Sequence, residues 1–162
     1  MSKAKHILTH EHLKILYYSL IHPYLLYGII MWGNTYKSNL SKLEKLQKKS
    51  LRIISGAKYN DHTSPLFKNA EILKLHDIYR SQVACFMFDF INNNLPVSLS
   101  SIYEYPSDDH TYNTRHRTDP KLPKVYSELA RRSVFYTGPN LWLTLDESVK
   151  TASFSVTNSA LS

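Results

Sequence analysis

Between Leu40 and Ile54 the side chains sort by chemistry onto opposite sides of a helix. At about 100° per residue, Leu40, Leu43, Leu46, Leu51, Ile53 and Ile54 fall within an arc of about 160°. Lys42, Lys45, Lys48, Lys49 and Arg52 fall within an opposing arc of about 120°, with Glu44 the one acid near the apolar edge. A segment divided in this way buries one face and leaves the other in water, which makes it an amphipathic helix. Ser38-Asn39 is its candidate N-terminal cap, Ser55-Gly56 its stop, and Lys58 follows just beyond.

The flanking sequence points to the same class. Leu8 to Leu26 reads as a helix with Leu13, Leu16, Leu20, Tyr24 and Tyr27 in its apolar repeat, kinked or broken by Pro23. Gly28 and Gly33 bracket Ile29-Ile30-Met31-Trp32, which fits a helix end or a strand. Ser64-Pro65 opens a short helix to about Ala70, with a hydroxyl cap and proline in the first turn. Asp77 caps a helix reaching Asn92 that is apolar nearly all round, and so belongs at the centre of a domain. From Tyr105 to Lys124 apolar periodicity disappears, which predicts a long loop or arm. Val125 to Tyr136 reads as a helix carrying Arg131-Arg132, and Gly138-Pro139 turns the chain into Leu141-Trp142-Leu143. The last twelve residues carry no charge, and fraying is expected there. The expected fold is all-α: a small helical bundle over residues 6–100, a basic loop or arm over 101–124, and an irregular, partly helical extension over 125–162.

Hydrophobic residues make up 43% of the chain, enough for a packed core. The 20 Lys+Arg against 13 Asp+Glu give a formal charge of +7, which favours polyanions, nucleic acid first and acidic membrane next. The most apolar window, Ile15 to Trp32, contains His22, Pro23 and four tyrosines, and reads as buried and amphipathic rather than membrane-spanning. The single cysteine, Cys85, excludes an intrachain disulfide framework and fits a reducing, intracellular compartment, nuclear or cytoplasmic. Set in Val83-Ala84-Cys85-Phe86-Met87-Phe88, it reads as a buried inert thiol.

Catalytic chemistry has little to stand on. Two-metal polymerisation needs carboxylates that hold ions about 4 Å apart. The one adjacent acidic pair, Asp108-Asp109 in Pro-Ser-Asp-Asp-His-Thr, lacks the flanking apolar strands of such a site and reads as a solvated turn. His6, His10 and His12 include an i,i+4 pair, but no third ligand completes a zinc set, and His-Glu-x-x-His is absent. No phosphate-cradling glycine loop and no Gly-x-Ser-x-Gly elbow occurs among four glycines. No metal, no other cofactor and no self-sufficient enzyme is expected.

Two basic surfaces are the functional candidates. Lys42, Lys45, Lys48, Lys49 and Arg52 spread along about 15 Å of helix, comparable to several phosphate spacings, with Lys58 beyond. Lysines act as point charges, so contact there is with the backbone of nucleic acid and independent of its sequence. The second cluster is Arg115-His116-Arg117 with Lys121 and Lys124, near Tyr103, Tyr105 and Tyr112, a set able to clamp and stack on a single strand. Solvated helix face and surface loop are the competing readings. Trp32 and Trp142 read as core or interface anchors.

Several blocks resemble a known family. They are Leu16-Tyr17-Tyr18-Ser19-Leu20-Ile21-His22-Pro23-Tyr24-Leu25-Leu26-Tyr27-Gly28 with Trp32-Gly33, and Leu43-Glu44-Lys45-Leu46-Gln47-Lys48-Lys49-Ser50-Leu51-Arg52-Ile53-Ile54. Shorter ones are Pro65-Leu66-Phe67, Ile72 to Tyr79, Asn113-Thr114-Arg115 and Gly138-Pro139-Asn140-Leu141-Trp142. This pattern, over roughly residues 13–145, resembles the region after the palm in reverse transcriptases of jockey-type non-LTR retrotransposons. The resemblance implies a thumb-like helical unit and a C-terminal extension, with Lys45, Lys48, Lys49 and Arg52 toward the backbone of a primer–template duplex. It also implies that fingers, palm, catalytic acids and endonuclease precede Met1. Leu143-Thr144-Leu145-Asp146 departs from the Asn and Leu-Pro usual in that family at this point. The resulting expectation is a non-catalytic part of a retroelement RNA-directed DNA polymerase, with an RNA–DNA or DNA duplex and the upstream palm as partners and no membrane. The alternatives are a helical protein-interaction module, with Trp32, Tyr36, Tyr136 and Trp142 seeking a partner, and a decayed remnant without a selected function.

Overall fold

The structure, a computed structural model, describes residues 7–105, 120–146 and 150. Among them there are nine helices and no strand. The fold is all-α, as the periodicity implies. The chain divides into two compact units, the first reaching to Tyr79 and the second beginning at Arg80. The boundary expected near residue 100 falls inside the second.

In the first unit the expected long N-terminal helix is two helices, α1 (His10–Leu20) and α2 (His22–Leu26). They part at Ile21, and Pro23 sits in the first turn of α2, where its missing N–H is not needed. That break redirects the apolar repeat. Leu13 and Tyr17 are buried on α1, then Leu25 and Ile29 further along, whereas Leu20, Tyr24 and Tyr27, expected to be apolar contacts, are exposed. Ile29–Trp32 is a helical turn, α3, not a strand; Gly28 before it has φ 61°.

Helix α4 (Lys37–Ile54) starts earlier than the Ser38-Asn39 cap implied, from Tyr36 and without a side-chain cap. Helix α5 (Thr63–Asn69) follows His62, so Ser64 is inside the helix and does not cap it. Leu13, Tyr17, Leu51, Ile54, Phe67 and Ile72 form one core cluster, with Leu16, Ile21, Leu66 and Ala70 packed against it. Each such apolar side chain contributes roughly 1.5–3 kcal/mol on burial. Helix α6 (Leu75–Ile91) begins two residues before Asp77, which lies in its first turn rather than capping it. At the start of α6, Tyr79 lies so close to Gly33 that a Cβ there would be 2.5 Å from the ring. Only glycine fits that contact.

In the second unit Val83, Met87 and Phe90 of α6 are buried, with Tyr103, Val134 and Trp142. A short turn of helix, α7 (Val97–Ser100), leads to Tyr103, whose hydroxyl donates to Val134 O at 2.8 Å. The expected helix over Val125–Tyr136 is instead α8 (Glu128–Arg132) followed by α9 (Val134–Thr144), parted at Ser133 with ψ 158°. Ser127 caps α8 by accepting from Ala130 N at 3.1 Å. Gly138-Pro139 does not turn the chain: both lie inside α9 and are buried. The glycine answers to packing, since a Cβ on it would stand 2.6 Å from Tyr103 Oη and 2.7 Å from Met87 Sδ. The frayed tail expected from Thr151 lies outside the described residues.

Candidate nucleic-acid interface

The orientation of α4 is set by one polar residue. Gln47 is buried, and its amide donates to Tyr17 Oη and to Leu73 O, both at 2.9 Å, while its carbonyl accepts from Leu75 N–H at 3.0 Å. A buried amide is stable when all of these partners are present. The three bonds join α4 to α1 and to the chain entering α6, and they centre the buried stripe on Gln47, Leu51 and Ile54. The stripe is therefore rotated from the wheel's all-apolar arc, and Leu46 is 60% exposed. Burial raises the pKa of Tyr17 above its ordinary value, although the Gln47 bond opposes the shift, so this hydroxyl stays protonated.

With that stripe inward, Lys42, Lys45 and Lys49 stand exposed on the outer face, and Lys48 and Arg52 are half-buried on its flank. Arg52 is partly committed to its neighbours. Its guanidinium donates to Asp61 O from Nη2 at 3.1 Å and from Nε at 3.3 Å, and it lies 5.9 Å from the Tyr59 ring centroid. The same loop closes on itself, Lys58 N donating to the Asp61 carboxylate at 2.7 Å, which leaves the Lys58 side chain exposed. Lys42, Lys45, Lys48, Lys49 and Arg52 thus lie on α4 away from its buried stripe, and Lys58 follows in the loop after it. Lys74, which the helical wheel could not place, lines a cleft with Lys48. In the sequence Lys74 stands inside the resemblance block Ile72 to Tyr79, and Lys48 at the edge of the cationic arc.

The second basic cluster lies largely beyond the described residues. Arg115 and Arg117, with His116 and Tyr112, lie outside the described residues. Tyr103 is buried, edge-on to Phe90 at 4.9 Å, and Tyr105 stacks on Phe90 at 5.8 Å. Tyr103 is thus a core aromatic, while Tyr105 is half-buried against Phe90; burial raises the Tyr105 pKa above its ordinary value. Lys121 is anchored by its N–H to Glu104 O at 2.8 Å.

Other candidates resolve by position. Among the described residues no group of three or more His, Cys, Asp or Glu side chains could hold a metal ion. His10 bonds Ile54 O and His12 bonds Thr9 Oγ1, while His6 and the pair Asp108-Asp109 lie outside those residues. Cys85 is half-buried rather than fully buried, and burial, with the Asp89 charge, pushes its thiol pKa up, away from the reactive thiolate. Among the described residues no helix is long and apolar enough to cross a membrane.

An all-helical unit with a one-sided cationic helix is the class that fold and surface define. Over 62 residues, 38% of its length, the chain is 39% identical to the RNA-directed DNA polymerase from mobile element jockey of Drosophila melanogaster. This region is therefore related to a retroelement reverse transcriptase. The match spans 7% of that polymerase. No protein-family model matches the chain. No solved structure matches it either.

Proposed function

We propose that this chain is a thumb-like unit of a retroelement reverse transcriptase that supports the primer–template duplex and has no polymerase activity of its own. The observation that carries the reading is the outer face of α4, where Lys42, Lys45 and Lys49 are exposed while Gln47 anchors the opposite side. Ammonium groups spaced along a rigid helix neutralise backbone phosphates without reading bases. The similarity to a retroelement polymerase supplies the kind of partner. Binding to an RNA–DNA duplex, followed by fluorescence anisotropy across a salt series, should weaken with a log–log slope of roughly −3. A Lys42/Lys45/Lys49→Glu variant should lose at least tenfold in affinity. Salt-independent binding, or equal binding by that variant, would sink the reading.

A second reading is favoured by a different observation. Tyr24, Tyr27 and Met31 are 81%, 85% and 82% exposed, and Ile15 and Leu20 are exposed as well. Exposed apolar groups recurring along α1 to α3 fit a surface that another protein covers. Of the aromatics expected to be exposed for a partner, Tyr36 is exposed, Trp32 and Tyr136 are half-buried, and Trp142 is buried. On this reading the face docks a palm domain of the parent polymerase. Co-expression with a palm fragment of the jockey polymerase should raise the soluble yield of the chain, and a Tyr27→Ser/Met31→Ser variant should lose that gain. An unchanged yield in both cases counts against it.

A further inference from the structure

Beside the outer face of α4 lies a cleft of about 320 Å³ to which three segments contribute: Glu44 and Lys48 from α4, His62 and Thr63 from the start of α5, and Lys74 and His76 around the start of α6. Gln47, fixed by its three hydrogen bonds, also lines it, so this wall is rigid. The Lys74 ammonium lies 6.0 Å from the Phe67 ring centroid, and Phe67 is another lining residue. Among the described residues neither Lys48 nor Lys74 has a carboxylate within ion-pair distance. Two lysines line a cleft whose lining holds one carboxylate, Glu44, together with hydroxyl and imidazole groups able to donate hydrogen bonds. This is the chemistry of an oxyanion seat.

We propose that the cleft seats one phosphodiester of the strand that α4 supports, held by Lys48 and Lys74 with Thr63, His62 and His76 as hydrogen-bond donors. The proposal rests on the nucleic-acid reading above and sharpens it, from a diffuse charged face to a face with one fixed contact. It also gives Glu44 a sign: its carboxylate opposes the phosphate.

The test uses the full chain and a fluorescein-labelled RNA–DNA duplex. Lys74 and His76 are exposed and lie off α4. Lys74→Gln and His76→Gln should each weaken binding about threefold to tenfold, and Lys74→Gln should flatten the salt slope by about 1. Lys74→Arg should preserve affinity, and Glu44→Gln should tighten binding severalfold, an effect that lost structure would not produce. In NMR spectra, added duplex should shift the ring resonances of His62 and His76 and leave that of His12 in place. If the unsubstituted chain binds duplex but Lys74→Gln and Glu44→Gln leave affinity and slope unchanged, the cleft proposal fails and the helix-face reading stands. If the unsubstituted chain binds no duplex, both fail. Inorganic phosphate that shifts His62 and His76 where duplex does not would assign the cleft to a free anion and overturn the proposal.

Discussion

Gln47 occupies a place where a helical wheel expects an apolar side chain, and its surroundings explain why an amide is stable there. Tyr17 Oη, Leu73 O and Leu75 N–H all turn toward it, and each would be left without a partner by an apolar substitute. Gln47→Leu should therefore destabilise the chain by roughly 2–4 kcal/mol despite adding apolar volume, read as a lower urea midpoint at unchanged slope. His22 tests the same neighbourhood through pH. Its ring lies 5.2 Å from Tyr18 and 6.1 Å from Tyr17, and burial lowers its pKa below the ordinary 6.5. The unfolded chain then takes up a proton more readily than the folded one. Stability from this group is complete above about pH 6.5 and declines as pH falls through 6.5 toward the lowered folded value. Urea midpoints measured at about pH 7.5 and about pH 5 should show that decline, and His22→Gln should flatten it. A decline of equal size in the variant would place its origin in other groups.

At the scale of elements, three helices end in the same way. After α4, Ala57 N bonds Arg52 O at 3.0 Å; after α5, Ile72 N bonds Phe67 O at 3.1 Å; after α6, Asn94 N bonds Asp89 O at 2.8 Å. Each bond closes a loop around one residue of positive φ, Gly56 at 63°, Glu71 at 56° and Asn93 at 56°. The motif satisfies the orphan carbonyls of a helix end. Gly56 and the asparagine run announce it in the sequence; Glu71 does not, because its side chain gains nothing from the left-handed conformation. Helix α9 shows the opposite case, a Gly-Pro pair that resembles a turn and lies inside a helix. Gly138→Ala should cost roughly 1–3 kcal/mol, since Tyr103 Oη and Met87 Sδ stand where the new methyl would go. Alanine is the better helix former, so a thermal melt that rises would refute the packing account.

Across the whole molecule, the charge of +7 favours polyanions but singles out no particular surface. What the sequence alone determined is local. Helical periodicity in several segments pointed to the all-α class, and over Leu40–Ile54 to the outward cationic arc, because both follow from side-chain spacing along single elements. The chain break near Pro23 and the stop at Gly56 were legible for the same reason, as backbone preferences of single residues. What only the tertiary structure decided is which side of each repeat meets a neighbour. Leu20, Tyr24 and Leu46 fit an apolar pattern yet are exposed, while Gln47 does not fit one and is buried. Tyr103 left the set of candidate stacking aromatics for the core, and Lys74 joined Lys48 at a cleft across 26 positions of chain. Burial and convergence depend on groups remote in sequence, so a one-dimensional pattern can mark a surface without assembling its site.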